Sequence, residues 1–184
     1  MITKHRNVAT FMMANLESIK IQSVDCEETW PIRRAVLYPR GPEEGIHIPG
    51  DEKGLHFGAF LISDPSFPDK LQLTSVISLF YDKFPSHLTP LLPNITCTGN
   101  EQFKALRFRK FATLNDFQNQ GIGSRLFQFV VDHARDDSSL GPGTIVWCAA
   151  RRSAQDWYIK RGMRVFGDSY FKNGIEFVTM AIII

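Results

Sequence analysis

Apolar and polar positions along the chain follow two periods, and together they predict an ordered set of elements. Ser18–Val24 alternates apolar with polar, the pattern of a half-buried strand. Asp25 stands where an N-cap belongs, and Glu27 and Glu28 follow where the helix dipole favours acids. The predicted helix runs through Leu37, with Pro31 near its start. A loop from Pro39 to Gly54 is punctuated by proline and glycine. Leu55–Ser63 and Lys70–Tyr81 read as strands joined by the turn-rich Asp64–Asp69, and residues 82–101 as an irregular connection. Ala105–Leu114 reads as a strand of imperfect alternation, with Leu106, Phe108, Lys110 and Ala112 opposite Arg107, Arg109, Phe111 and Thr113. The most periodic stretch follows: Ile122, Leu126, Phe129, Val130 and His133 predict a helix from about Gln120 to about Arg135. Thr144–Ala149 has the apolar run of a strand buried on both faces, and Ser153–Arg161 is a second helical stretch stopped by Gly162. Met163–Phe166 and Glu176–Ile184 form a closing pair of strands around Lys172-Asn173-Gly174. The predicted order is βαββ, then βαβαββ, with no internal repeat.

A chain of 184 residues has room for one domain, here residues 16–184, preceded by an N-terminal extension over 1–15. Lys4, His5 and Arg6, with no acid before Glu17, give that extension some likeness to a mitochondrial presequence, but it lacks the Arg and Ser content, and a loose extension is the reading taken. Fifteen Phe and three Trp exclude disorder for most of the chain. Lys and Arg together exceed Asp and Glu by two, which argues against nucleic-acid binding through general basicity. Cys26, Cys97 and Cys148 lie far apart, with no zinc spacing and no disulfide framework, so a reducing, cytoplasmic setting and no metal are expected. No apolar run approaches the ~20 residues of a membrane helix, so no membrane partner is expected.

The sharpest local feature is Gln118-Asn119-Gln120-Gly121-Ile122-Gly123-Ser124, between a strand and the long helix. Two glycines in a first helical turn cost about 1 kcal/mol each against alanine. Unpaired N–H groups at that end carry partial positive charge, and glycine lets a phosphate approach them. A P-loop needs a Lys that does not follow Gly123, and the dinucleotide fingerprint would need a third glycine at Leu126. A glycine turn that merely enters a packed helix is the competing account.

Gln118-x-x-Gly121-x-Gly123 resembles the (Arg/Gln)-x-x-Gly-x-(Gly/Ala) acetyl-CoA motif of the GCN5-related N-acetyltransferase (GNAT) superfamily. About 30 residues on, Ala154 to Met163 resembles the second recurring stretch of that superfamily, Ala-x-x-(aromatic)-Tyr-x-x-x-Gly-Phe. Leu37-Tyr38-Pro39-Arg40-Gly41-Pro42, Pro49-Gly50-Asp51 and His56-Phe57-Gly58-Ala59 look like an uncharacterised bacterial-type branch of it. The resemblance covers about residues 16–184. It implies an α/β (α+β) fold: a mixed, mostly antiparallel sheet of six or seven strands with splayed central strands and flanking helices. The splayed strands would be 105–114 and 144–149, with pantetheine in the slot. Backbone groups of Phe111, Ala112 and Thr113 would meet its amides, and amides from Gln118 through Ser124 (Gln118, Asn119, Gln120, Gly121, Ile122, Gly123, Ser124) would hold the pyrophosphate.

The implied activity is transfer of acetyl from acetyl-CoA to a primary amine by direct attack in a ternary complex. Tyr158, at the tyrosine position of the motif, is the candidate general acid for the leaving sulfur, against a reading as a core residue whose hydroxyl finds a partner. Arg151 stands where many members carry Asn and could meet a cofactor phosphate; Arg152, Lys160 and Arg161 add charge for the 3′-phosphate. Glu43, Glu44, Asp51 and His56 fall in segments that wall the acceptor pocket, and each also reads as a solvated or structurally satisfied group. Cys148 reads as an inert buried thiol in preference to an acyl carrier. The acceptor is a small-molecule or peptide amine, and homodimers are common among such proteins. The alternative function is an acyl-CoA-binding or sensor domain without transfer.

Overall fold

In the computed structural model, which describes residues 19–62, 70–92 and 104–184, the predicted strands are β1 (Ile19–Ser23), β2 (Leu55–Ile62), β3 (Leu71–Tyr81), β4 (Ala105–Thr113), β5 (Ile145–Arg151), β6 (Arg164–Lys172) and β7 (Ile175–Ile183). The helices are α1 (Cys26–Leu37), α2 (Ile122–Asp136) and α3 (Gln155–Ile159). The strands join one sheet in the order β1-β2-β3-β4-β5-β7-β6, antiparallel throughout except where β4 runs parallel to β5. The turn expected at 64–69, the connection from 93 to 103 with Cys97, and the N-terminal extension lie outside the described residues.

Alternation along β3 assigns the two faces. Ile77 and Leu79 pack with Leu126, Phe127, Val130 and Val131 of α2, while Val76, one residue before Ile77, packs with Ile32 of α1 and Ala112. The sheet is therefore the middle of three layers, α1 on one side and α2 with α3 on the other. Beside α1, a second patch on its face joins Phe84, Leu88, Trp147 and Phe166.

The first helix begins at Cys26 behind the Asp25 cap, as the sequence implies, with Pro31 in its second turn; the Glu28 carboxylate accepts the Asp25 N–H at 2.8 Å, which secures that start. Other boundaries differ from the sequence reading for identifiable reasons. The stretch 153–161 forms only a five-residue α-helix after a 3₁₀ turn at Arg152–Ala154. The closing hairpin is longer than expected, turning on Asn173 and Gly174, both at positive φ (52° and 73°), as a two-residue loop requires.

The strand with imperfect alternation holds the feature that positions the site. Between the pairs Ser78↔Arg109 and Val76↔Ala112, the single residue Ile77 faces both Lys110 and Phe111, and Lys110 takes φ 51°. One residue is therefore inserted into β4, which explains why Leu106 and Phe108 lie in phase and Phe111 does not. A bulge bends its strand and raises the local twist. The parallel pairing of β4 with β5 covers only Ala105↔Ile145, Leu106↔Val146 and Arg107↔Trp147; beyond it the strands part.

Candidate functional site

The parted strands leave polar backbone facing the gap. Leu114 donates its N–H to Thr74 O at 2.9 Å and the Ala112 carbonyl accepts the Ser75 hydroxyl at 3.0 Å, so both residues face β3. Strand alternation turns the backbone groups of Phe111 and Thr113 the other way, toward the gap. The Thr113 carbonyl there accepts Nε2 of Gln118 at 3.0 Å.

A cavity of about 620 Å³ opens at this end of β4. Phe111, Ala112 and Thr113 form one wall, the Gln118–Ser124 turn another, and Trp157, Lys160 and Arg161 a third; Val36 and Phe117 complete it. No acidic side chain is among these residues, and two are cations.

The turn into α2 explains its two glycines. Gly121 is the N-cap at φ 82°, a backbone conformation that penalises a Cβ. The sequence reading began the helix at Gln120; the left-handed residue delays it to Ile122. Arg125 makes the first intrahelical bond, to Gly121 O at 3.0 Å, so the N–H groups of Ile122, Gly123 and Ser124 have no helical acceptor. Gly123 lies so close to β4 that a Cβ would come 3.1 Å from Thr113 Oγ1 and 3.4 Å from the Phe111 ring.

Arg161 braces this end of the helix. Its Nε donates to Ser124 Oγ at 3.1 Å, Nη2 reaches the same oxygen, and Nη1 donates to Trp157 O at 2.7 Å. The guanidinium lies 3.6 Å from the centre of the Trp157 ring. Lys160 is exposed beside it. Unpaired amides, a fixed guanidinium and an ammonium converge on one acid-free space, which is the chemistry of an anion cradle.

Of the residues expected to touch the cofactor, Phe111, Ala112, Thr113, Gln118, Asn119, Gly121, Gly123 and Ser124 line the cavity. Three others do not. Ile122 buries its side chain in the α2 core, Gln120 donates its amide to Asp116 O at 2.8 Å, and Arg151 turns away to Leu37 O at 3.2 Å. Trp157 and Val36 went unread: tryptophan counted only as bulk in the motif, and Val36 comes from a helix about 75 residues upstream.

Tyr158 sits beneath the fork, buried among Phe108, Phe127 and Trp157, and outside the cavity lining. Burial, with the Cys148 thiol hydrogen-bonded to its hydroxyl, pushes the phenol well above its ordinary value. Burial likewise raises Cys148, so the thiol stays protonated and inert at neutral pH.

The acceptor-side candidates separate. Glu43 is exposed in a 3₁₀ turn, Glu43–Gly45, that also contains Glu44. Asp51 and His56 are buried in a network under α1. Arg33, fully buried, donates from Nη1 to Asp51 Oδ2 at 2.5 Å and from Nη2 to Asp51 Oδ1 at 3.0 Å. Its Nη2 also reaches Ser78 Oγ at 2.7 Å, and Nη1 the Ile46 carbonyl at 3.1 Å. His56 Nε2 lies 2.8 Å from the Asp51 carbonyl and must donate to it, so Nδ1 accepts from Ser78 Oγ at 2.8 Å. Both ring nitrogens are engaged in the scaffold. Burial alone would raise Asp51, but the Arg33 hydrogen bond and charge, with Trp30, outweigh it and hold the carboxyl below its usual range. Neither residue lines the cavity. Among the described residues no group of His, Cys, Asp and Glu could hold a metal ion, and no helix is long and apolar enough to cross a membrane.

Residues 97–184 match the family described as acetyltransferase (GNAT) domain. Solved structures share the fold across most of the chain. NAA60 of Arabidopsis thaliana in complex with acetyl-CoA is 15% identical with a TM-score of 0.67, over 90% of this chain and 98% of that one. FeeM, an N-acyl amino acid synthase from uncultured soil microbes, is 13% identical with a TM-score of 0.62, over 90% of each chain. An acyl-CoA N-acyltransferase from Pseudomonas aeruginosa is 15% identical with a TM-score of 0.59, over 89% and 99%. At such identities the likeness is one of fold. No curated protein sequence matches significantly.

Proposed function

We propose that the chain, whose residues 97–184 match the acetyltransferase (GNAT) domain, transfers an acetyl group from acetyl-CoA to a primary amine by direct attack. One observation carries this reading: the anion cradle at the head of α2 adjoins a gap into which β4 presents backbone that no neighbouring strand pairs. A diphosphate fits the first and an extended diamide the second, and the two lie end to end.

In this reading the amides of Ile122, Gly123 and Ser124, with Arg161 and Lys160, hold the diphosphate. The backbone of Phe111 and Thr113 pairs with pantetheine as an added strand, which requires the Gln118 amide to release the Thr113 carbonyl. The thioester then rests near the bulge, where backbone N–H groups stabilise the oxyanion that forms as the amine attacks. The alkylammonium, with a pKa of about 10, gives its proton to water before attack. As the carbon–sulfur bond breaks, the nitrogen, made cationic by its attack, gives a second proton to water, and the phenol of Tyr158 donates its proton to the departing thiolate and regains one from solvent. Burial keeps that phenol protonated at neutral pH, and the same dry surroundings raise the basicity of the thiolate. Arg151 is left outside the cofactor site.

A second reading, an acyl-CoA-binding domain without transfer, is favoured by the engagement of the Tyr158 hydroxyl by Cys148. Release of free thiol from acetyl-CoA across a panel of primary amines decides between the two. Amine-dependent release supports the transferase; binding without release with any amine supports the second. An acetyl-CoA titration that leaves the thermal midpoint unchanged overturns both.

A further inference from the structure

On the face of the sheet away from α2, the fork carries an excess of positive charge that the acetyl-transfer reading leaves unused. Ser78 and Phe80 are the cross-strand partners of Arg109 and Arg107, so both arginines project from the α1 face of β4. Arg107 belongs to the last residue pair that β4 makes with β5, and Arg109 stands two residues further along the opening arm. Both turn to one carboxylate. Arg107 Nη1 lies 3.2 Å and Arg109 Nη2 3.5 Å from the same oxygen, Asp82 Oδ2.

Each guanidinium has five N–H donors, and these long contacts use one apiece. The Nε atoms of both are buried without a hydrogen-bond partner. The side chains are 24% and 29% exposed, so solvent or a ligand can reach their outer nitrogens while the Nε atoms stay buried. Aromatic rings fix their planes: Arg107 lies 4.4 Å over Trp147 and Arg109 5.8 Å over Phe80. Burial and the charge of Arg107 both lower the pKa of Arg109, as expected when two cations share one anion. Next along the strand, Lys110 Nζ donates to Tyr38 Oη at 2.6 Å and to the Gly45 carbonyl, and makes no ion pair among the described residues. Two guanidinium groups share one carboxylate here, with an ammonium next along the strand. Arg33 on the same face also leaves its Nε unpartnered, but it holds a carboxylate of its own, Asp51, through two nitrogens at 2.5 and 3.0 Å, whereas Arg107 and Arg109 share one oxygen at 3.2 and 3.5 Å.

We propose that Arg107 and Arg109 bind an anionic group, carboxylate or phosphate, on the acceptor amine, so that the substrate is an amino acid-like or amino phosphate-like molecule. This rests on the transferase reading. Strand rise puts Arg109 about 7 Å along β4 from the backbone at Phe111, near which the amine attacks. A single small molecule spans that distance, with its amine at the bulge and its anion on the guanidinium pair. Asp82 then acts as the internal competitor that the substrate anion displaces in part.

Three primary amines of equal length, ending in carboxylate, phosphonate and carboxamide, test the assignment. With the intact protein, kcat/KM should favour one or both charged amines over the carboxamide by roughly 10- to 100-fold; which one is preferred identifies the anion. Arg109→Gln should abolish that preference by raising KM for the charged amines toward that of the carboxamide. Asp82→Asn should lower KM for the charged amines several-fold, a gain that misfolding does not produce. Equal use of all three by the intact protein overturns the proposal, as does an equal loss for all three in Arg109→Gln together with no gain in Asp82→Asn. If no amine is turned over, the transferase reading fails by itself. Calorimetry with the carboxylate and phosphonate amines alone then decides: saturable binding lost in Arg109→Gln upholds the anion site, and its absence refutes it.

Discussion

Replacing Asp51 by Asn separates a structural carboxylate from one that acts on substrate. The substitution keeps the shape of the side chain and removes the charge that two nitrogens of fully buried Arg33 address at 2.5 and 3.0 Å. The guanidinium remains in the interior with Ser78 and the Ile46 carbonyl as partners but no counter-ion. Breaking a buried pair in this way costs about 3–5 kcal/mol. For a chain of 184 residues each kcal/mol moves the thermal midpoint by roughly 2–4 °C, so a fall of about 10 °C is expected. Removing both charges, as Arg33→Met with Asp51→Leu, should recover part of it. The pH dependence has a defined sign. Folded Asp51 titrates below its unfolded value of about 3.9, so its contribution is complete above that pH and is lost as pH falls through the lower, folded value. Asp51→Asn should therefore flatten the acid limb of stability against pH. Calorimetric melts from pH 2.5 to 7 measure both effects. A midpoint shift under about 2 °C, combined with loss of amine-dependent thiol release, would refute the scaffold assignment and return Asp51 to the acceptor site.

Three further outcomes test the cradle and the chemistry. Tyr158→Phe should lower kcat by 10²- to 10⁴-fold while the acetyl-CoA dissociation constant changes less than twofold; retained turnover means another group protonates the sulfur. Gly121→Ala forces a Cβ onto φ 82°, costing about 1–2 kcal/mol, and calorimetry should show weaker acetyl-CoA binding along with a lower melting midpoint. Arg161→Met keeps bulk against Trp157 but removes the charge; acetyl-CoA affinity should fall about tenfold at low salt, and the gap to the native protein should narrow toward 1 M salt.

The elements were largely legible because periodicity is local: α2 and the alternating strands follow from spacing alone. The cradle was legible because Gly121 and Gly123 are costly in a helix start unless backbone must be approached. The lining from Val36 and Trp157 depends on tertiary contact, which no local pattern encodes. Asp51 and His56 were ambiguous for the same reason, since a carboxylate in a loop reads alike whether it faces solvent or a buried Arg33 eighteen positions upstream. The sharing of Asp82 by Arg107 and Arg109 was not legible, because nothing local reports that both reach it; the bulge beside them at Lys110 and Phe111 was visible only as a flaw in alternation.

That flaw has a consequence for how the site can change. The opening between β4 and β5 depends on a count: one residue more in β4 than its neighbour β3 has to match at Ile77. Side-chain exchanges near Lys110 leave the count intact, so the acceptor side is free to vary by substitution. Deleting Lys110 would let the strand run straight beside β5, and the ladder of main-chain bonds that now ends at Arg107 would continue and seal the gap. Tolerance to replacement and intolerance to shortening, at the same position, is the behaviour expected of a site held open by backbone arithmetic.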